Sequence, residues 1–295
     1  MSMPALSTRV ISFVLRKSGL FRKMFAGGPS MSAYIAKAAA TQSAPSAKLQ
    51  KSHAISHTAF DGCAVWEFAP KVKAPTATVL YWHGGGYVYP AADAHWAFMA
   101  HMAETHGWRI VAPLYPLAPA HDVAGTTGFA LSFYKDFLAR QAGAPFLMAG
   151  DSAGAGLTAA TVMAARDAGL ALPAKLILIC PWLNADPSHP DQPEIEKRDA
   201  ILTIPGLRDA GRLYAGDADV SDPRVSPIHA DWSGLPPILS FGGGSDILVV
   251  DARALKAKLP KVDYQEMDGM IHDWPIFTFP ESRKAQAQMA AFAAA

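Results

Sequence analysis

Cysteine is scarce. Cys63 and Cys180 are the only two in 295 residues, and they show neither metal-ligand nor dithiol spacing. That excludes a disulfide framework and leaves reduced, buried thiols in separate strands, so a cytoplasmic setting is the expectation. Charge is scarce as well, at 17% of residues and a net +1 against 51% hydrophobic. Such a balance describes a water-soluble globular chain and argues against a nucleic-acid binder. Long apolar runs are missing: Val10 to Leu15 is far short of the roughly 20 residues that cross a bilayer. No small-residue cleavage site follows it, so neither a transmembrane helix nor a secretory signal is expected.

Acidic residues are absent before Asp61. The first 60 positions hold Arg9, Arg16, Lys17, Arg22, Lys23, Lys37, Lys48 and Lys51, which leaves 18 basic against 25 acidic residues in the remainder, a balance of −7. Ile11, Phe13, Val14, Leu15, Leu20, Phe21, Met24 and Phe25 interleave with the cations. The pattern predicts an amphipathic helical arm within residues 1–52. Its preferred placement is as part of a cap packed on the acidic body. Peripheral contact with an anionic membrane is the less favoured alternative, and the arm could also contribute to a homodimer.

The chain's chemistry is concentrated where strand gives way to helix. Phe146 to Ala149 reads as a buried strand, and Ala153 to Ala168 as an alanine-rich helix. Between them Gly150-Asp151-Ser152-Ala153-Gly154 has the Gly-x-Ser-x-Gly spacing of a nucleophile elbow, whose glycines remove Cβ atoms where strand and helix approach. A serine at that bend sits at a helix N-terminus, where free N–H groups favour a developing oxyanion. The bland alternative is a simple N-cap.

A second glycine cluster follows the apolar strand Thr76 to Trp82. His83-Gly84-Gly85-Gly86-Tyr87 matches the motif that donates backbone N–H groups to the same oxyanion, together with the residue after the serine, Ala153. A phosphate loop is the competing reading, but the Lys-Ser/Thr that completes one is absent.

Together these two motifs resemble the hormone-sensitive-lipase-like family of α/β-hydrolase carboxylesterases. Tyr115-Pro116-Leu117-Ala118-Pro119 is similar to that family's Tyr-Arg-Leu-Ala-Pro-Glu segment, and Cys180-Pro181-Trp182-Leu183 to its Ser-Pro-Trp-Leu. Pro116 stands where arginine is usual, and Ala120 where glutamate is usual. The resemblance covers about Ala54 to the C-terminus and implies an α/β-hydrolase fold with a helical cap. It also implies Gly85 and Gly86 as the oxyanion donors of the glycine motif.

The rhythm of the chain is independent of that likeness. A hairpin from His53 to Ala69 turns at Asp61-Gly62. Helix Ala92 to His106, strand Arg109 to Leu114, helix Ala124 to Arg140, the elbow, and strand Lys175 to Cys180 then alternate. This predicts an α/β protein with a mostly parallel central sheet and helices on both faces. Residues 53–295 form the catalytic domain. Within it 184–232 is a proline-rich excursion read as a cap insertion, with a helix at Pro205 to Ala215. Thr41 to Lys51 reads as a linker. Pro237 to Phe241, Val249 to Leu259, Val262 to Met267 and Pro280 to Ala294 complete the strands and helices.

A serine hydroxyl needs a base and an acid that orients it, in the chain order serine, acid, histidine for this fold. Asp246 follows a strand, and His272 follows the last one. Asp251 competes with Asp246, but it falls within a helix, as a surface or capping residue, and the family's Asp-Pro-Leu-x-Asp pattern implies the first aspartate. His189 and His229 fall in the cap, and His83 suits a structural hydrogen bond. Asp273 is expected to face solvent or pair locally.

The expected activity is hydrolysis of small-molecule esters through Ser152, His272 and Asp246, without metal or cofactor. The resemblance implies short- to medium-chain carboxylic esters. Tyr87, Trp182 and Trp274 are substrate-pocket candidates, with core packing as the equal alternative. An amidase or deacetylase would use the same residues. A non-catalytic small-molecule binder on this scaffold is opposed by the presence of His272.

Overall fold

The computed structural model describes residues 4–41 and 43–295. Within the 1–52 arm, Met1 to Met3 and Gln42 lie outside the described residues. The arm is helical: α1 (Leu6–Ser18), α2 (Leu20–Met24), α3 (Gly28–Ala39) and α4 (Ala47–Ser52). The last of these corrects the linker reading of Thr41 to Lys51. Ser46 caps it by accepting the Leu49 N–H at 3.2 Å.

The hairpin forms as expected from β1 (Ala54–Phe60) and β2 (Cys63–Ala69). Asp61 and Gly62 both take positive φ, which a two-residue turn of this hand requires. Cys63 is only half-buried, so the expectation of two buried thiols holds for Cys180 alone. The alternating part follows as β3 (Ala77–Trp82), α5 (Asp93–His106), β4 (Trp108–Pro113), α6 (Val123–Gln141), β5 (Leu147–Asp151), α7 (Ala153–Asp167) and β6 (Lys175–Ile179). After the excursion come β7 (Ile238–Gly243), α10 (Val249–Lys258), β8 (Asp263–Met267) and α11 (Pro280–Ala294), while α8 (Gln192–Glu196) and α9 (Ile204–Ala215) belong to the excursion itself.

The eight strands lie in the order β1-β2-β4-β3-β5-β6-β7-β8, antiparallel at β1-β2-β4 and parallel from there on. β3 hands the chain on to β4 on one side, whereas β5 continues to β6 on the other. Their adjacent C-terminal ends therefore flank a crevice at the reversal of strand order, where open α/β sheets hold ligands. Trp82 pairs with Gly150 across these strands, which sets the glycine motif beside the elbow. Small side chains let α7 lie close on the sheet, and it is buried along most of its length.

The excursion and the arm form one layer over that edge. Arg22 Nη1 donates to the carbonyls of Glu196, Asp199 and Leu202 at 3.0, 2.9 and 3.3 Å. The Thr203 hydroxyl donates to Phe25 O and accepts the Gly206 N–H, capping α9. The arm thus packs on the body, but α1 does so by its polar side. Glu281 of α11 accepts the Ala5 N–H and the Thr8 hydroxyl, each at 2.6 Å, while Leu6, Val10, Phe13 and Val14 are exposed. Among the described residues no helix is long and apolar enough to cross a membrane.

Candidate active site

Ser152 has φ 51° and ψ −120°, a left-handed conformation that costs on the order of 1–3 kcal/mol for a residue with a Cβ and persists only where the surroundings enforce it. Here the enforcement is packing of α7 on the sheet. A Cβ at Gly150 would strike Gly154 O, and one at Gly154 would strike Trp82 O, so both glycines are required by close backbone approach. The Ser152 N–H donates to Ile179 O at 2.9 Å and its carbonyl accepts the Trp182 N–H at 3.1 Å, which fixes the bend against β6 and its following loop.

Gly243 at the end of β7 pairs with Met267 at the end of β8. The loops that follow bring Asp246 and His272 to the serine. His272 Nε2 lies 2.9 Å from Ser152 Oγ, and His272 Nδ1 lies 2.9 Å from Asp246 Oδ2. All three side chains are buried. Burial disfavours the imidazolium, yet the negative charges of Asp246 and Asp273 overcome it and raise the His272 pKa well above its ordinary 6.5.

Gly85 and Gly86 both have positive φ. Among the described residues their N–H groups donate to no other backbone group, and Ala153, as the first residue of α7, has no intrahelical acceptor. The sequence expectation assigns these three N–H groups to an oxyanion. His83 makes the structural hydrogen bond anticipated for it: Nδ1 lies 2.6 Å from Gly84 O, and burial pushes its pKa down to about 4.

Several functional neighbours carry no spacing signal in the sequence. Asp151 accepts the Tyr81 hydroxyl at 2.5 Å, the Gly84 N–H at 3.0 Å and His95 Nε2 at 3.0 Å, tying the elbow to the glycine loop. Burial alone would raise its pKa, but the charge and hydrogen bond of His95 bring it below the ordinary value. Asp199, from the excursion, accepts the N–H groups of Ile201, Leu202 and Ile247, each at 2.8 Å, and so ties the covering layer to the loop of Asp246.

Two aspartates correct their expected surroundings. Asp251 is buried, not at the surface, because the loop after β6 folds over it: Oδ2 accepts the N–H groups of Leu183 and Asn184 at 2.7 and 2.8 Å. Asp273 is turned inward by its own left-handed backbone, φ 53°, so of its two expected placements solvent exposure fails and local pairing, with the adjacent His272, holds. Its Oδ2 lies 3.1 Å from His272 Nε2, and burial pushes its pKa up to about 7. Cys180, His272 and Asp273 could each offer a ligand atom to one metal ion, but that set takes the imidazole already facing Ser152.

A cavity of about 360 Å³ opens onto Ser152 and His272, with Phe21, Met24, Phe25, Ile201, Ile276 and Phe277 among its apolar lining. Gly85 and Asp273 also reach it. The aromatic pocket candidates do not line it. Tyr87 stacks on Tyr214 with ring centroids 3.6 Å apart, Trp182 packs beside Tyr87 and donates to Asn184 O, and Trp274 donates to Gly242 O. All three are core residues, and the helices of the arm supply apolar walls in their place.

A family model described as alpha/beta hydrolase fold matches residues 79–276. The chain is similar to an acetyl-hydrolase from Streptomyces hygroscopicus, 33% identical over 225 residues, covering 73% of this chain and 74% of that protein. It is also similar to an esterase from Acinetobacter venetianus, 30% identical over 226 residues, covering 74% and 75%. Among solved structures, an esterase from the bacterial hormone-sensitive lipase (HSL) family superposes with a TM-score of 0.81 at 25% identity, over 99% of both chains.

Proposed function

The chain belongs to the hormone-sensitive-lipase-like family of the alpha/beta hydrolase fold and is a hydrolase of ester bonds, and from that premise we propose that it is a serine carboxylesterase for short- to medium-chain esters. The observation carrying this reading is the imidazole of His272, within 2.9 Å of both Ser152 Oγ and Asp246 Oδ2. His272 takes the serine proton as Oγ attacks the ester carbonyl. Asp246 holds the ring by Nδ1–H and favours the imidazolium that forms. The N–H groups of Gly85, Gly86 and Ala153 receive the oxyanion, each such donor contributing on the order of 10²–10³ in turnover. His272 then protonates the leaving alcohol, and a water molecule, activated by the same nitrogen, releases the acid from the acyl-enzyme.

The apolar walls from Phe21, Met24 and Phe25 support an acyl group of modest length, and the acetyl-hydrolase relative supports the short end of that range. The test is hydrolysis of p-nitrophenyl acetate and butyrate together with labelling by a fluorophosphonate. Wild-type protein is expected to turn over both esters and to be labelled at Ser152, and Ser152→Ala to lose both. Absence of labelling in folded wild-type protein would overturn the reading in favour of a binder. A matched amide cleaved faster than its ester would make the chain an amidase.

A further inference from the structure

Helix α1 is docked with its amphipathic faces reversed. Leu6, Val10, Phe13 and Val14 recur at i, i+4, i+7 and i+8, the spacing of one helix face, which in a globular protein normally turns to the core. Here that face is 73%, 53%, 51% and 56% exposed at the four positions. The opposite face, Thr8, Ser12 and Leu15, is turned inward, with Thr8 held by Glu281 and Ser12 Oγ buried. The docking rests on Glu281, which accepts the Ala5 N–H and the Thr8 hydroxyl, and on Leu15 packed against the core, so the apolar stripe is left without a partner on the described chain.

The charge around the stripe identifies what would cover it. Arg9 and Lys17 are exposed, and among the described residues neither is in an ion pair. Lys17 lies along the stripe itself, and both it and Arg16 sit 5.7 Å from the Phe13 ring centroid. The arm has no carboxylate to offset them. A second copy docking stripe to stripe would bring like charges together in a desolvated contact, which is costly. A lipid surface accepts the same pattern, because apolar side chains enter the acyl boundary while lysine and arginine reach back to anionic headgroups.

We propose that α1 is an interfacial helix that seats the enzyme on an anionic lipid surface. A cavity of about 200 Å³ lies between Arg9, Ser12 and Arg16 of α1 and residues Asp268, Gly269 and Ile271 of the loop that carries His272. The next helix, α2, supplies Phe21 and Met24 to the walls of the cavity at Ser152. Seated in this way, the cavity lies close to the phase into which apolar esters partition. The surface stands on α1 alone and does not depend on the esterase reading.

The experiment is co-sedimentation of the full chain with vesicles of phosphatidylcholine alone and of phosphatidylcholine mixed equally with phosphatidylglycerol. Wild-type protein is expected to bind the mixed vesicles, and to release as salt is raised. Replacing Val10, Phe13 and Val14 together by serine is expected to weaken binding at least about tenfold. Hydrolysis of monomeric p-nitrophenyl butyrate should stay unchanged, since none of the three reaches the cavity. Should that triple variant fail to fold, the pair Arg9→Glu and Lys17→Glu is expected to weaken binding to the mixed vesicles alone. No binding to anionic vesicles, or equal binding by the variants, would overturn the proposal. So would a dimer of wild-type protein that the serine variant dissociates, because the stripe would then be covered by a second copy.

Discussion

His272 Nε2 faces two oxygens at once, Ser152 Oγ at 2.9 Å and Asp273 Oδ2 at 3.1 Å. The negative charges of Asp246 and Asp273 favour the imidazolium, while burial raises the pKa of Asp273. Attack by Ser152 needs Nε2 free, and in this resting arrangement Asp273 competes for it.

The consequence is a pH dependence of definite sign. With its pKa raised, His272 becomes a base only above the ordinary imidazole range, so kcat/KM is expected to rise from acid to alkaline pH with its midpoint above 6.5. Asp273→Asn removes one of the two carboxylates favouring the imidazolium. The acid limb should move to lower pH, and activity at pH 6 should increase. A pH series of kcat/KM on p-nitrophenyl acetate for both proteins checks this, and superimposable profiles would contradict it.

Asp246 and Asp251 are five residues apart and chemically alike, but only Asp246 touches the imidazole. Asp246→Asn is expected to lower kcat on the order of 10⁴-fold by leaving the ring in the wrong tautomer. Asp251→Asn keeps an oxygen for the Leu183 and Asn184 N–H groups and should change kcat by no more than about a few fold. Comparable losses in the two variants would mean that the acid role is shared.

What was legible in the sequence was local. The elbow and the glycine loop could be read because close backbone approach demands glycine within a few positions of Ser152 and His83. Asp246 and His272 could be read because each follows a strand that ends at the same sheet edge. Less could be read where distant segments decide an environment. Nothing near Asp251 tells that residues 183 and 184 fold over it. Asp151 and His95 are 56 positions apart, with no pattern linking them. In α1 the periodicity defines two faces but not which of them turns inward, and that is settled by Glu281 at the other end of the chain.

Two glycines separate close packing from mere flexibility. Gly154→Ala puts a methyl group onto the backbone carbonyls of Trp82 and His83, which cannot rotate away. The expected cost is about 1–3 kcal/mol or more, with loss of activity as α7 and Ser152 are pushed from β3. Gly128 lies in α6 with open space around its Cβ position. Gly128→Ala should stabilise by about 0.4–1 kcal/mol and leave turnover intact. Urea midpoints and p-nitrophenyl butyrate rates on both variants measure the contrast.

Asp199 gives the covering layer a pH-dependent hold on the site. Its carboxyl is pushed from the ordinary 3.8 up to about 7 by burial and by the negative charge of Asp246. A carboxyl whose folded pKa is raised contributes stability that is full below about pH 4, where both states are protonated, and lost as pH rises through 7. Asp199→Asn stays neutral throughout, but it has one oxygen where the carboxyl, neutral or ionised, has two, and Ile201 and Leu202 bond to one of these and Ile247 to the other. Leaving a buried N–H unmet costs about 1–3 kcal/mol. The variant should therefore be less stable than wild type at pH 5, with the gap narrowing by pH 8 as wild-type Asp199 ionises. Urea unfolding at the two pH values tests this, and a gap that stays constant would show that Asp199 does not titrate in the folded protein.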